Sequence, residues 1–349
     1  MIDAQRKQLL WVAGAAGLSV GTVWLLRNLL KRYQYWNSEI VKAGTVKELY
    51  IFPLKSGKGT KVEWLDCDIH GPIHEELKDR HLMIVDAKQK YTVLTARQYP
   101  KLVLLEANVE GGVLTITDPN GKSVSVDLTS VVKRKQIVRA TVFHEQKEEG
   151  LECGDEVSNF FHEFLNISEK RDIRLLYFIE GLYTERNVVT QSNFMNNPVP
   201  KLTDYAAFHD QASYHMLTQG SIDELNSRLQ EHDPPKEVRG LNFRPNVLVE
   251  GTPAFDEDKW LEVHIGDAEF LCYQPCTRCV EPTVDPDSGE MDKHVQPLKL
   301  LREYRLTPEG KMRQLYTKDP AFGVYLALKK PGRIQIGDEV FVRYKPTPF

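Results

Sequence analysis

Short apolar runs separated by turn residues constrain the fold of this chain most. Thr45–Pro53, His81–Asp86, Tyr91–Thr95, Leu102–Asn108, Gly112–Thr117 and Ser123–Leu128 read as strands. Ala87-Lys-Gln-Lys90, Glu110-Gly-Gly112 and Asp118-Pro-Asn-Gly121 divide them. Strands recurring about every eight to twelve residues with such reversals predict an antiparallel sheet or barrel. Asp155–Asn166 is amphipathic and predicts a helix burying Val157, Phe160, Phe161, Phe164 and Leu165. A second unit starts near Asp172–Phe178. In it Ser221-Ile-Asp-Glu224 reads as a capping box opening a helix to about Gln230. Val247–Glu250, Trp260–Ile265, Ala268–Tyr273, Gly323–Leu328 and Arg333–Tyr344 follow as strands, with a helix over Leu298–Leu306. The expected class is mainly β with some α (α+β), without βαβ alternation. Asn196-Asn-Pro-Val-Pro200 marks a loop near the junction.

One segment stands apart. Gln8–Leu26 has no charged residue and is dominated by Leu, Val and Trp; as a helix it would span about 28 Å, close to one bilayer core. Arg6 and Lys7 precede it, and Arg27, Lys31 and Arg32 follow. An uncleaved anchor at 8–26 is expected, with a polar linker to residue 44; a cleaved targeting peptide is the rival reading. The slight basic excess after the span favours a cytosolic carboxyl-terminal body.

The net charge of −4 argues against nucleic acid as a partner, so any anion site must be a local cluster. Five cysteines, odd in number, favour reduced thiols over a disulfide scaffold. Two form the lone pair Cys276-Thr-Arg-Cys279. Half a zinc site would need further ligands such as His294, and a redox pair would need a βαβ setting. Two structural thiols, or one thiolate on a metal needing a single sulfur, complete the options. Thr277 and Arg278 make the loop electropositive, which would lower a thiol pKa. Lys55-Ser56, Arg80, Arg97 and Arg244 stand at or near strand ends, where side chains and amides can converge on a phosphate, although a lone basic residue is ordinarily a solvated surface charge. Asp210 is a candidate proton donor or relay, or a turn residue.

Seven motifs fall in one order: Pro53-Leu-Lys-Ser56, Asp79-Arg80, Leu94-Thr-Ala-Arg-Gln98, Asp210-Gln-Ala-Ser213, Asn242-Phe-Arg-Pro-Asn246, Cys276-Thr-Arg-Cys279 and Val284-Asp-Pro-Asp-Ser-Gly289. In this the chain resembles the mitochondrial amidoxime reducing component family, molybdenum enzymes of the MOSC (molybdenum cofactor sulfurase carboxyl-terminal) superfamily. The resemblance implies a MOSC N-terminal β-barrel-like domain over 45–170 and a MOSC domain over 171–349. It implies a molybdenum–molybdopterin cofactor with Cys279 as metal ligand and Cys276 as a structural neighbour. Lys55, Ser56, Arg80, Arg97, Arg244 and Asn246 would surround the pterin and its phosphate, Thr277 and Arg278 would add contacts, and Asp210 would stand beside the metal. Gln211-Ala212-Ser213 departs from the shorter Ala-Ser-Pro-like run of the family. The implied activity is two-electron reduction of amidoximes, hydroxylamines and N-oxides. The chain has no dinucleotide fingerprint and no haem-attachment motif, and the resemblance supplies cytochrome b5 and NADH-cytochrome b5 reductase as electron donors. It also implies the mitochondrial outer membrane, facing the cytosol, with another cytosol-facing membrane such as the peroxisome as the alternative.

Overall fold

The computed structural model describes residues 21–27, 29–30, 33, 37–142, 145–168, 170–184, 187–189 and 203–345. The chain is mainly β with some helices, and two closed barrels carry its two largest cores.

The larger barrel takes strands from both ends of the described chain. Val247–Glu250, Tyr214–Thr218, Ala321–Lys330, Ala268–Thr277, Trp260–Ile265, Glu339–Tyr344 and Val41–Ile51 are neighbours in that order, and Val41–Ile51 pairs back onto Val247–Glu250 to close the ring. A bulge between Val46 and Glu48 shifts the alternation by one, so residues on either side of it face inward together. In Val41–Ile51 the side chains of Val46, Leu49 and Ile51 are buried with Tyr214, Met216, Trp260, Val263 and Phe270. Burying such a side chain contributes about 1.5–3 kcal/mol. Tyr214–Thr218 and Val247–Glu250 run parallel, which requires a crossover, and the helix Gln219–Leu229 lies between them in sequence.

The smaller barrel contains Ile137–Thr141, Lys147–Glu152, Ile173–Tyr177, Leu82–Asp86 and Thr92–Val93. Its core gathers Ile84, Leu151 and Leu175 with Val157 and Phe161 of the helix Asp155–Leu165. The three-stranded sheet Glu106–Glu110, Val113–Thr117 and Ser123–Asp127 adds Ala107, Leu114 and Ile116 to that core.

Several expectations change. The chain crosses the expected boundary at 170/171: Ile173–Tyr177 belongs to the smaller barrel, built mostly from residues before that boundary, while Val41–Ile51 belongs to the larger one, built mostly from residues after it. Gly332–Gln335 also pairs with Trp64–Asp68. Leu102–Asn108 is not one strand, because Pro100 opens a 3-10 turn over Pro100–Leu104 before the strand starts at Glu106. The helix expected from Ser221 starts at Gln219. Thr218 Oγ1 caps it by accepting from the Ser221 amide, and the Ser221 hydroxyl donates to the buried Glu257 carboxylate instead. The apolar segment expected at 8–26 lies outside the described residues as far as position 20. Gly21–Arg27 is helical and exposed, and among the described residues no helix is long and apolar enough to cross a membrane. The loop at 196–200 also lies outside the described residues.

Candidate functional site

Where the first strand of the large barrel leaves the sheet, the chain must turn toward the small barrel. Lys55 N–H donates to Leu82 O at 2.8 Å and Gly57 N–H to Leu54 O at 2.8 Å, forming a tight reversal with Ser56 at φ +63°. Arg80 (φ +52°) and Arg244 (φ +55°) also occupy the left-handed region. Few non-glycine residues adopt it, and at functional sites such strain persists where surrounding bonds over-determine the backbone. Here Arg80 N–H donates to Phe52 O at 2.7 Å, and Arg244 N–H caps the helix Gly240–Phe243 through Leu241 O. Three unusual backbone turns thus bring three predicted residues to one place.

That place is a cleft of about 530 Å³ lined by Lys55, Ser56, Arg80, Asp210, Arg244, Asn246 and Arg278, together with Cys276, His215, Glu281 and Tyr325. The Arg80 and Arg244 guanidinium carbons lie 4.6 and 4.3 Å from the ring centre of Phe52, which fixes both cations at the wall. Lys55 Nζ donates to Phe208 O at 2.7 Å and to Asp210 Oδ1 at 2.5 Å. Asp210 Oδ2 lies 3.8 Å from Arg97 Nη2, so its carboxylate is a counter-charge between two cations rather than a turn cap.

A buried carboxylate organises the floor. Asp79 accepts from Phe52 N–H at 2.7 Å, from Asn246 Nδ2 at 3.1 Å and from Arg80, and His209 Nε2 lies 3.0 Å away. Burial pushes the Asp79 carboxyl up, but Arg80 and His209 outweigh it and hold it below the usual range. Asn246 is buried, with Oδ1 accepting from His215 N–H and Nδ2 donating to Asp79 and Tyr50 O, so it braces the wall.

The two cysteines part company. Cys276 is buried beside Tyr325, whereas Cys279 is partly exposed beside Arg97. Glu281 N–H also points at Cys279 Sγ, at 3.5 Å. Cys279 and Arg97 are not among the residues that line the cleft; they stand next to it, joined to its lining through Glu281 and Asp210. Its thiol is not lowered as the Thr277-Arg278 loop led us to expect. Burial and the Glu281 carboxylate raise it against Arg97, while Arg278 turns away. Arg278 is spent on the protein: it donates to Phe322 O, to Phe243 O at 3.0 Å and toward His215 Nε2. Thr277 ends its strand opposite Ala321 and does not line the cleft. Among the described residues, no three-ligand cluster includes either thiol, and His294 is not gathered with them.

Arg244 shows what the cleft is built to receive. Nη1 donates to Gly57 O at 2.6 Å and Nε lies 3.5 Å from Glu281 Oε1, yet Nη2 is buried without a hydrogen-bond partner. Leaving such a donor unmet is costly, so an acceptor is expected there. Burial lowers the Arg244 pKa to about 10, with Glu281 acting against it.

Sequence reasoning missed His215, Asp79, Glu281 and Tyr325 as site residues. Asp79 and Glu281 stand beside or within quoted motifs, while His215 and Tyr325 carry no local signal.

Comparison with known proteins fits this geometry. Residues 43–168 match the MOSC N-terminal beta barrel domain and residues 204–341 the MOSC domain. Mitochondrial amidoxime-reducing component 1 of Mus musculus is 32% identical over 94% of this chain and 90% of its own length. The Homo sapiens component 1 is 33% identical over 86% of this chain and 83% of its own. Mitochondrial amidoxime reducing component 2 of Rattus norvegicus is 32% identical, covering 94% of this chain and 90% of its own. With both barrels matched in order and the similarity running through nearly the whole chain, this protein belongs to the MOSC-domain family of mitochondrial amidoxime-reducing components.

Proposed function

We propose that the protein is a membrane-anchored, molybdenum-dependent reductase of N-hydroxylated compounds, drawing electrons from cytochrome b5 and its NADH-dependent reductase. The relatives' names supply the substrate class and the mitochondrial location. We assign the 8–26 segment as the anchor and the cytosol as the side the body faces, on the outer membrane.

The residues fit an anionic, single-thiolate cofactor. A pterin with its own sulfurs and a phosphate needs one protein thiolate and a cationic cradle. Cys279 offers the accessible sulfur, and Arg244 Nη2 is the buried donor awaiting an acceptor. Lys55, Arg80, Arg244 and Arg278 line the cleft against the carboxylates Asp210 and Glu281, which leaves an excess of positive charge. When bound, a molybdenum–molybdopterin group supplies two-electron removal of oxygen from nitrogen. The chain's own residues then have separate tasks. Arg244 and the Ser56 turn hold the phosphate end, Asn246 and Asp79 keep Arg80 and Arg244 in place, and Arg97 holds the Cys279 sulfur beside the cleft. Asp210 Oδ1, accepting from Lys55 Nζ, is the group we assign to pass protons toward the departing oxygen.

The unmet Arg244 donor beside an accessible Cys279 carries this reading. Elemental analysis tests it: molybdenum is expected at one per chain, with metal and activity both lost in Cys279→Ser and mostly kept in Cys276→Ser. Zinc in place of molybdenum, or equal loss in both variants, overturns it.

A further inference from the structure

A second pocket of about 410 Å³ adjoins the first, and Arg244 and Glu281 line both. Its character is different. Val103, Leu241, Val284 and Pro286 give it an apolar wall. Val103 and Val284 also pack with Ala96, the residue before Arg97, so this wall continues toward Cys279. A carboxylate marks the junction. Glu281 has its backbone N–H on Cys279 Sγ, and among the described residues its one ion pair is the long 3.5 Å contact to Arg244. On the apolar side of the junction such a carboxylate attracts a cationic nitrogen attached to an apolar body.

Resting on the reductase reading above, we infer that this pocket binds the body of amidoxime substrates, with the Glu281 carboxylate holding the amidine nitrogens. In the reaction the N–O bond breaks and two electrons enter from the cytochrome b5 chain. One proton leaves with the hydroxyl as water and one stays on nitrogen. The amidine product is a strong base and takes a further proton from water to become an amidinium. Positive charge therefore develops on the two nitrogens as oxygen departs. A carboxylate beside them binds the later species more tightly than the neutral amidoxime, which is the kind of differential binding that lowers a barrier. The pocket favours aryl or alkyl amidoximes over small N-hydroxylated compounds whose products stay neutral.

The test uses the full-length holoprotein with cytochrome b5, its reductase and NADH. Benzamidoxime is compared with N-hydroxyurea, and benzamidine binding is measured separately by calorimetry. Glu281→Gln is expected to weaken benzamidine binding and raise the benzamidoxime KM, each by about tenfold, the scale of one lost charge-assisted bond. Molybdenum content should stay within about twofold of the parent, and N-hydroxyurea should lose less than benzamidoxime in kcat/KM. Leu241→Trp, filling a half-buried wall position, should raise the benzamidoxime KM about tenfold, with N-hydroxyurea again losing less. Unchanged benzamidine affinity in Glu281→Gln overturns the inference. So does molybdenum loss in both variants, which would give the pocket to the cofactor. A parent holoprotein that turns over neither compound defeats the reductase reading instead, and calorimetry still decides whether Glu281 binds amidines.

Discussion

The two sides of the Cys276–Cys279 loop make opposite use of their polar groups. On the inner side Arg278, His215 and Tyr325 are spent on the protein itself, on the carbonyls of Phe243 and Phe322 and on the Cys276 thiol. On the outer side Arg244 keeps a buried donor unmet beside a long 3.5 Å contact to Glu281. Groups that satisfy each other build a wall, whereas groups that do not are waiting for a ligand. One loop thus separates support from binding within four residues.

Breaking the inner side should cost stability first. Arg278→Ala strands two buried carbonyls and His215, and should lower unfolding free energy by about 3 kcal/mol in urea titrations. Arg97→Ala on the outer side, removing a partly exposed side chain, should change it by less than about 1 kcal/mol while lowering molybdenum occupancy. Equal destabilisation by the two variants would erase the distinction.

A smaller effect is expected at Gly323, behind the same inner wall. Its φ is +84°, and an added Cβ would lie 2.6 Å from His215 Nε2 and 2.7 Å from Met216 O. Gly323→Ala should therefore cost about 2 kcal/mol, read from the urea midpoint at unchanged m-value. A neutral result would mean that the inner wall can yield.

The gentlest test is pH. Burial keeps His215 well below its ordinary pKa, His209 at about 4 and His81 at about 3. Above about pH 6.5 these rings are neutral in both folded and unfolded chains and have no effect. As pH falls, the unfolded chain takes up protons that the fold refuses. Stability should then drop by up to about 1.4 kcal/mol per pH unit for each ring. In the same window the buried Glu257 carboxyl, pushed up to about 7, takes up its proton first in the fold and offsets about one ring. The midpoint should still fall with the other two, and a flat midpoint would show these histidines to be solvated.

Short apolar runs bounded by turn residues made much of the fold legible, and Trp260–Ile265 and Val247–Glu250 stand where those runs lie. Lys147–Glu152 escaped because its sequence is largely charged, with a glycine packed close to Leu176 and Phe208. Tyr214–Thr218 escaped because His215 and Thr218 interrupt its short apolar run, although the whole strand is buried. For the site, the basic residues and the thiol pair were visible as motifs. Their division of labour was not. Arg278 meets His215 across 63 positions, and Arg97 meets Cys279 only once the barrels are assembled, so no local pattern could show which cation faces inward.

The larger ring is sealed by strands far apart in sequence, Val41 lying against Val342. During synthesis the early strand must wait until Glu339–Tyr344 has left the ribosome before that edge is covered. Closure at such sequence separation is slow, and the uncovered edge invites pairing with other chains meanwhile. The same early strand leads directly into the Lys55–Ser56 turn, so that turn cannot rest on a closed barrel until Glu339–Tyr344 has been made.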